Sequence, residues 1–477
     1  MDRMNVWMTY DLAMQKACYD FAERYKKFLS EGKTEREVVD LVVNEVEAKG
    51  FVELGRAAAK GRKLKPGDTV YSVWMNKSIV LFRIGSEPLE NGLNILGAHI
   101  DSPRIDVKQN PMYEAGGFSL MDTHYYGGIK KYQFVAMPLA IHGVVVKKSG
   151  ETVVLNIGED EDDPVFFVSD LLIHLAQEQM EKKAGKVIEG EALDIIVGNK
   201  PLIIDAKSTA GSKNKKAPAK DAVKDAVLAI LKDSYGFEEK DFESAELEIV
   251  PAGKARDAGF DRSMVLGYGH DDRVCAYPSL EALIDTPDVS RTSVCLLVDK
   301  EEIGSVGATG MQSRFFENAL AELMNLTGEY SELKLRRCLA NSCMLSSDVS
   351  SAYDPSYASS FDEKNVAYLG RGMVFNKFTG SRGKSGSNDA NAEYIAHLRS
   401  ILEAADIQTQ TAELGKVDLG GGGTIAYILA LYGMNVIDSG VPVLNMHAPF
   451  EAISKADLYE AYRGYCEFLK SCSMRNE

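Results

Sequence analysis

The sequence is short of positive charge. It carries 54 Lys and Arg against 70 Asp and Glu, a formal net charge of −16 at pH 7 over 477 residues. Nucleic acid and anionic membrane surfaces both call for basic patches, so neither is an expected partner. Small molecules, peptides and copies of the chain itself fit better. Paired cysteines are also lacking: the seven cysteines (18, 275, 295, 338, 343, 466, 472) are odd in number and none falls in a C-x-x-C pair. That usage excludes a disulfide framework and a zinc knuckle, and implies a reduced, cytoplasmic protein. No apolar run reaches membrane-spanning length, and the N-terminal stretch lacks a signal peptide's apolar region. Three catalytic fingerprints are missing as well. There is no G-x-S-x-G, and no cysteine has a histidine in a catalytic setting. The glycine run "DLGGGGT" lacks both the lysine of a Walker loop and the spacing of a Rossmann turn.

What is present is a folded composition, with 45% hydrophobic and 9% aromatic residues, on a chain long enough for two or three domains. Up to about Leu54 the pattern is helical, and "KTEREVVDLVVNEVEAKG" carries a threonine start, apolar spacing of three and four, and a closing glycine. Strand-like stretches follow: "TVYSVW", "SIVLFRIG" and "GLNILGAHID". Residues 102–256 read as a separate β-rich domain inserted into the first, with glycine turns, alternating strands ("IHGVVVKK", "ETVVLNIG") and a mobile polar loop, "DAKSTAGSKNKKAPAKD". From 257 to 477 α/β alternation resumes, with strand "SVCLLVD", helix "MQSRFFENALAELMNLTG", strand "RCLANSCMLSSD" and helix "NDANAEYIAHLRSILEAAD". The expected fold is α/β: a mostly parallel sheet covered by helices, formed by 1–101 and 257–477, carrying the inserted β-rich domain.

Ligands bind beyond the carboxyl ends of strands in such sheets, and the chain delivers an unusual set of side chains there. "LNILGAHID" ends in His99 and Asp101, which share one face of an extended segment, so the aspartate can orient the imidazole. "GYGHDDRVCA" offers His270, Asp271 and Asp272 ahead of a helix, where an aspartate can also serve as N-cap. The apolar run Val294 to Val298 leads straight into Glu301 and Glu302; neighbours in an extended segment point apart, so one could face a metal and the other a water. Asp348 follows another apolar stretch, and His447 precedes a last helix. Two histidines and four or more carboxylates form the nitrogen and oxygen ligand set of a binuclear metal centre. Such ligands accept zinc, manganese or cobalt alike.

The stretches "GAHIDSPR", "GHDDRVCA", "DKEEIGSVGATG", "SSDVSSAYDP" and "LNMHAPFE", in this order, resemble the aspartyl aminopeptidase family of cocatalytic metallopeptidases, over nearly the whole chain. The resemblance implies that His99 and Asp348 hold one ion, Glu302 and His447 the other, and that Asp271 bridges them. It makes Asp101 the support of His99, and Glu301 the general base. It implies an aminopeptidase acting on short peptides, and an inserted domain that builds dimers and then a dodecamer. His174, in "DLLIHLAQ", would reach a neighbouring subunit's site; Lys377, with Lys384 as substitute, would meet an acidic substrate side chain. The run Gly420 to Gly423, centred on Gly421 and Gly422, would let backbone approach substrate. The stretch "YYGGIKKYQFVAMPLAIHG" departs from eukaryotic relatives, leaving side-chain preference open. Two other readings compete: a related dinuclear carboxypeptidase or amide deacylase, and a non-catalytic assembly protein on the same fold.

Overall fold

The computed structural model describes residues 4–202, 220–380 and 383–474. They form two compact units, Met1–Ser102 with Ala255–Glu477, and Pro103–Lys254.

The first unit is built on a nine-stranded sheet of described residues, ordered Val52–Glu53, Thr69–Trp74, Ser78–Arg83, Ser293–Val298, Asn94–His99, Cys343–Ser347, Asn435–Gly440, Met373–Asn376 and Thr409–Thr411. Its four central strands, from Ser293–Val298 to Asn435–Gly440, run parallel. All four are buried throughout, as expected for parallel strands covered on both faces. Alternation divides their side chains between two cores. Leu96, Ala98, Cys295, Leu297, Leu345 and Ile437 join one, packed with helices Leu12–Glu31, Glu35–Ala48, His270–Asp285, Ala392–Ala404 and Lys455–Ser471. Ile95, Val294, Leu296, Val298, Met344 and Val436 join the other, under helices Leu54–Ala59, Phe315–Thr327, Glu332–Ala340 and Ala426–Ala430. The mostly parallel, helix-covered sheet read from the sequence is the fold observed.

Register matters for the site. Val298 pairs with His99, Ser346 with Gly97, and Ser347 with Ser439, so the carboxyl ends of all four strands finish on one edge. A smaller sheet supports that edge: Pro442–Leu444 and Glu451–Ser454 form an antiparallel hairpin whose connection, 445–450, contains His447.

The threonine read as a helix start is one: Thr34 accepts from the Glu37 amide while the Glu37 carboxylate accepts from Thr34 in return, a capping box. The stretch 337–348, expected as one strand, is divided. Helix Glu332–Ala340 takes its first residues because Leu335, Cys338 and Leu339, at helical spacing, bury one face, and Ser331 caps its start; only Cys343–Ser347 is strand.

The second unit carries a six-stranded sheet of described residues, ordered Thr152–Ile157, Leu139–Val146, Ala245–Pro251, Arg104–Ala115, Phe118–Tyr126 and Ile195–Gly198. Every pairing in it is antiparallel, and its apolar face forms the unit's own core around Ile105, Ile141, Val145, Leu247 and Ile249. The polar stretch 205–221, expected as a mobile loop, lies almost wholly outside the described residues. No described helix is long and apolar enough to cross a membrane.

Candidate metal centre

His99 closes its strand with 1% of its surface exposed. Its Nδ1 lies 3.0 Å from the Asp101 backbone carbonyl and 3.3 Å from Asp101 Oδ1. A carbonyl only accepts, so Nδ1 carries the hydrogen and the neutral ring turns a lone pair outward at Nε2. That lone pair faces Asp271 Oδ1 at 3.1 Å, with Asp348 Oδ1 at 3.9 Å. His99 Nε2 and Asp271 Oδ1 are both buried without a hydrogen-bond partner among the described residues. Two such acceptors in contact call for a shared cation. Ligand atoms about 2.0–2.2 Å from one ion sit roughly 3–3.5 Å apart, which is the spacing found.

Asp271 repeats the arrangement on its other oxygen: Oδ2 lies 3.2 Å from His447 Nε2, which is 3.5 Å from Glu302 Oε1. The Asp271–Asp272 peptide is cis. Burial raises the Asp271 carboxyl, but when the two imidazoles are protonated their hydrogen bonds and charge outweigh it and hold the group below the usual carboxylate range. Potential ligand atoms gather in three groups, each within 4.8 Å: His99, Asp271 and Asp348; Asp271, Glu302 and His447; and His99, Glu301 and Glu302. Asp271 is common to the first two. Asp272 joins none of them, and burial with the adjacent Asp271 charge lifts its carboxyl well above the ordinary value.

Glu301 and Glu302 do not lie in an extended segment as the sequence suggested. Lys300 turns the chain at φ 70° and Gly304 at φ 98°, so Glu301–Ile303 is a single 3-10 turn. The Asp101 carboxylate makes that turn possible, accepting the Glu301 amide on Oδ1 at 3.1 Å and the Glu302 amide on Oδ2 at 3.2 Å. One carboxylate thus holds the His99 ring and both glutamates. Burial, with Asp271 and Asp101 adding against the two histidines, lifts Glu301 to about 7. Burial and Asp271 lift Glu302 well above its ordinary value. Asp348, just past its strand, is fixed by its amide donating to the Ser439 carbonyl at 2.8 Å.

One residue of the cluster escaped the sequence reading. Glu451, 1% exposed, accepts the Asp271 amide on Oε2 at 3.0 Å and the His447 amide on Oε1 at 2.7 Å. It locks both backbones behind the ligand set and supports His447 at its left-handed φ of 65°. An acid heading the short, largely buried strand "EAIS" was the available signal.

His270 stands apart: its Nδ1 lies 2.7 Å from the Tyr25 hydroxyl, and burial pushes it down to about 3, a neutral structural histidine. His174 belongs to the second unit, on the exposed turn Ile173–Leu175, and enters none of the ligand groups. Lys377 is exposed at the end of Met373–Asn376. Lys384 is engaged with Asp389, 3.2 Å away, and lies over the Phe378 ring. A cavity of about 270 Å³ is lined by Phe378, Thr379, Lys384, Leu414, Gly420 and Gly421.

Residues 28–469 match the family described as Aminopeptidase I zinc metalloprotease (M18). A probable M18 family aminopeptidase 1 of Clostridium acetobutylicum is 57% identical over 467 residues, 98% of either chain. The crystal structure of an M18 aminopeptidase from Thermotoga maritima superposes with a TM-score of 0.91 at 42% identity, covering 99% of this chain and 100% of that one. The S. cerevesiae mApe1 dodecamer, 20% identical with a TM-score of 0.73, covering 94% of this chain and 96% of that one, shares the fold. Likeness of this extent, around a ligand cluster of histidines and carboxylates, makes the chain a member of the M18 family of zinc metallopeptidases, and an aminopeptidase.

Proposed function

We propose that the chain removes residues one at a time from the free amino end of short peptides, with two divalent ions in the cluster and Glu301 as general base. The observation that carries this reading is the position of Asp271, whose two oxygens face His99 and His447 at 3.1 and 3.2 Å. His99 and Asp348 would hold one ion, Glu302 and His447 the other, and Asp271 would bridge them. Zinc is the family's metal, and manganese or cobalt suits the same donors. Bound there, the ions supply Lewis acidity that acidifies water and polarises a peptide carbonyl.

The remaining work belongs to side chains. Glu301 accepts a proton from the attacking water and delivers it to the leaving amine. Asp101 keeps Glu301 and Glu302 in one tight turn, so that one points at water and the other at metal. The backbone at Gly421 and Gly422 lies against the substrate, and the exposed Lys377 receives an acidic side chain where the substrate has one. The protein works in the cytoplasm as a homo-oligomer, a dodecamer built from dimers, with His174 completing a neighbouring subunit's site. Exposed Leu172, Ile173 and Leu175 around His174 support a subunit contact there.

Aminoacyl reporters carrying Asp, Glu and Leu, assayed with zinc, manganese and cobalt, test the activity and its preference. Peptides with free and acetylated amino ends separate an aminopeptidase from a carboxypeptidase or deacylase: turnover of the acetylated peptide would contradict this reading. Metal-loaded protein inert on every free peptide would instead favour a non-catalytic assembly role.

A further inference from the structure

The strand Asn435–Gly440 brings to the same edge a carboxylate that the metal cluster does not use. Asp438 is 1% exposed. Its Oδ1 accepts the Thr424 hydroxyl at 2.6 Å, while Oδ2 is buried without a hydrogen-bond partner among the described residues. Leaving a buried carboxylate oxygen unmatched is costly, and such groups survive where something besides stability requires them. Burial lifts the carboxyl to about 7, the Thr424 hydrogen bond opposing and the charge of Glu301 adding.

Thr424 ends the glycine run, and the four glycines are not alike. A Cβ on Gly420 would lie 1.5 Å from the Leu414 carbonyl oxygen, and Gly421 sits at φ 122°, so the fold itself demands both. It does not demand the next two. A Cβ on Gly422 would meet only Leu414 Cδ2, at an ordinary 3.5 Å, and one on Gly423 would meet nothing within 4 Å. Neither has the left-handed backbone that favours glycine. Both therefore present bare backbone to open space among the described residues. The segment is nevertheless held at both ends: the Gly422 amide donates to the Thr379 carbonyl at 3.1 Å, and Thr424 is held by Asp438 while accepting the Ala426 amide at 3.3 Å.

We infer that Gly422 and Gly423 form a platform on which the substrate's peptide backbone lies, and that Asp438, acting through Thr424, is the positioning residue that fixes the platform. The inference deepens the aminopeptidase reading and rests on it. It extends that reading to Gly423, to the Thr424 hydroxyl and to a carboxylate outside the ligand set.

The test uses the zinc-loaded full chain and an unblocked tripeptide, with KM, kcat, metal content and melting temperature measured for each variant. Gly423→Ala adds a methyl where the chain leaves room, so melting temperature and metal content stay at wild-type values while KM rises about five-fold or more. Thr424→Val and Asp438→Leu, each of which removes one partner of the hydrogen bond, raise KM similarly with a smaller change in kcat, and Thr424→Ser, which keeps the hydroxyl, returns KM to wild type. A wild-type KM in Gly423→Ala overturns the platform. Equal KM in Thr424→Val and Thr424→Ser overturns the role of Asp438. An inactive wild type overturns the aminopeptidase reading itself, whereas an active wild type with unaffected variants overturns only this inference.

Discussion

At the residue scale the centre depends on two carboxylates that are not among the metal-ligand groups. The Asp101 carboxylate accepts the amides of both glutamates and lies 3.3 Å from His99 Nδ1, beside the Asp101 carbonyl that also faces it; Glu451 accepts the amides of Asp271 and His447. Partners of this kind tune a site about as strongly as ligands do, commonly 10–100-fold in metal affinity. Glu451→Gln replaces one acceptor oxygen by a donor facing an amide. It should weaken zinc affinity by about 10–100-fold, read by competition with a chromophoric chelator. Unchanged affinity would mean that the hairpin holds His447 unaided. His270 allows a pH test. Burial pushes it down to about 3, against about 6.5 in an unfolded chain. Below pH 6.5 the unfolded chain gains a proton that the folded one refuses, so His270 contributes stability above that pH and loses it progressively as pH falls toward 3. His270→Gln should flatten the fall of melting temperature between pH 6.5 and 4.5 relative to wild type. The residues that the structure gathers into the three groups, His99, Asp271, Glu301, Glu302, Asp348 and His447, could be picked out in the sequence because histidines and acids are conspicuous after apolar runs. Glu451 was not, since its role lies in two backbone amides contributed by distant parts of the chain. The Glu301–Glu302 geometry was hidden for the same reason: the turn is closed by Asp101, two hundred residues earlier by chain distance.

At the scale of elements, strand ends in register create the site, and one buried arginine secures their opposite ends. The Arg291 guanidinium donates to the carbonyls of Asn91 at 2.7 Å, Asn341 at 2.5 Å and Met474 at 2.8 Å. These carbonyls precede the strands Asn94–His99 and Cys343–Ser347 and follow the helix Lys455–Ser471. Arg291→Met leaves buried carbonyls unmatched and should destabilise the chain by about 3 kcal/mol or more. A denaturant midpoint equal to wild type would show that water replaces the guanidinium without loss. Strands were readable wherever burial on both faces or strict alternation marked them, as in "TVYSVW" and "SIVLFRIG", found as Thr69–Trp74 and Ser78–Arg83. The error at 337–340 came from an apolar content that suits a strand and a helix face equally; spacing alone did not decide, and packing of Leu335, Cys338 and Leu339 did.

At the scale of the whole molecule, an acidic chain of M18 type gathers two histidines and four carboxylates at one sheet edge, and the cost of that gathering falls on the metal-free protein. Ions that bind the folded state stabilise it in proportion to their concentration over the dissociation constant. Chelation should lower the melting temperature and abolish peptide hydrolysis, and added zinc should restore both; activity indifferent to thorough chelation would contradict a metal mechanism. The division of labour between adjacent glutamates is tested most directly by counting metal ions per chain, by plasma mass spectrometry, in wild type, Glu301→Gln and Glu302→Gln, with turnover of a free tripeptide measured on the same samples. The expected result is two ions in wild type, two in Glu301→Gln with turnover reduced about 100-fold or more, and fewer than two in Glu302→Gln. Retained turnover in Glu301→Gln, or loss of an ion from it while Glu302→Gln keeps both, would reverse or remove the assigned roles.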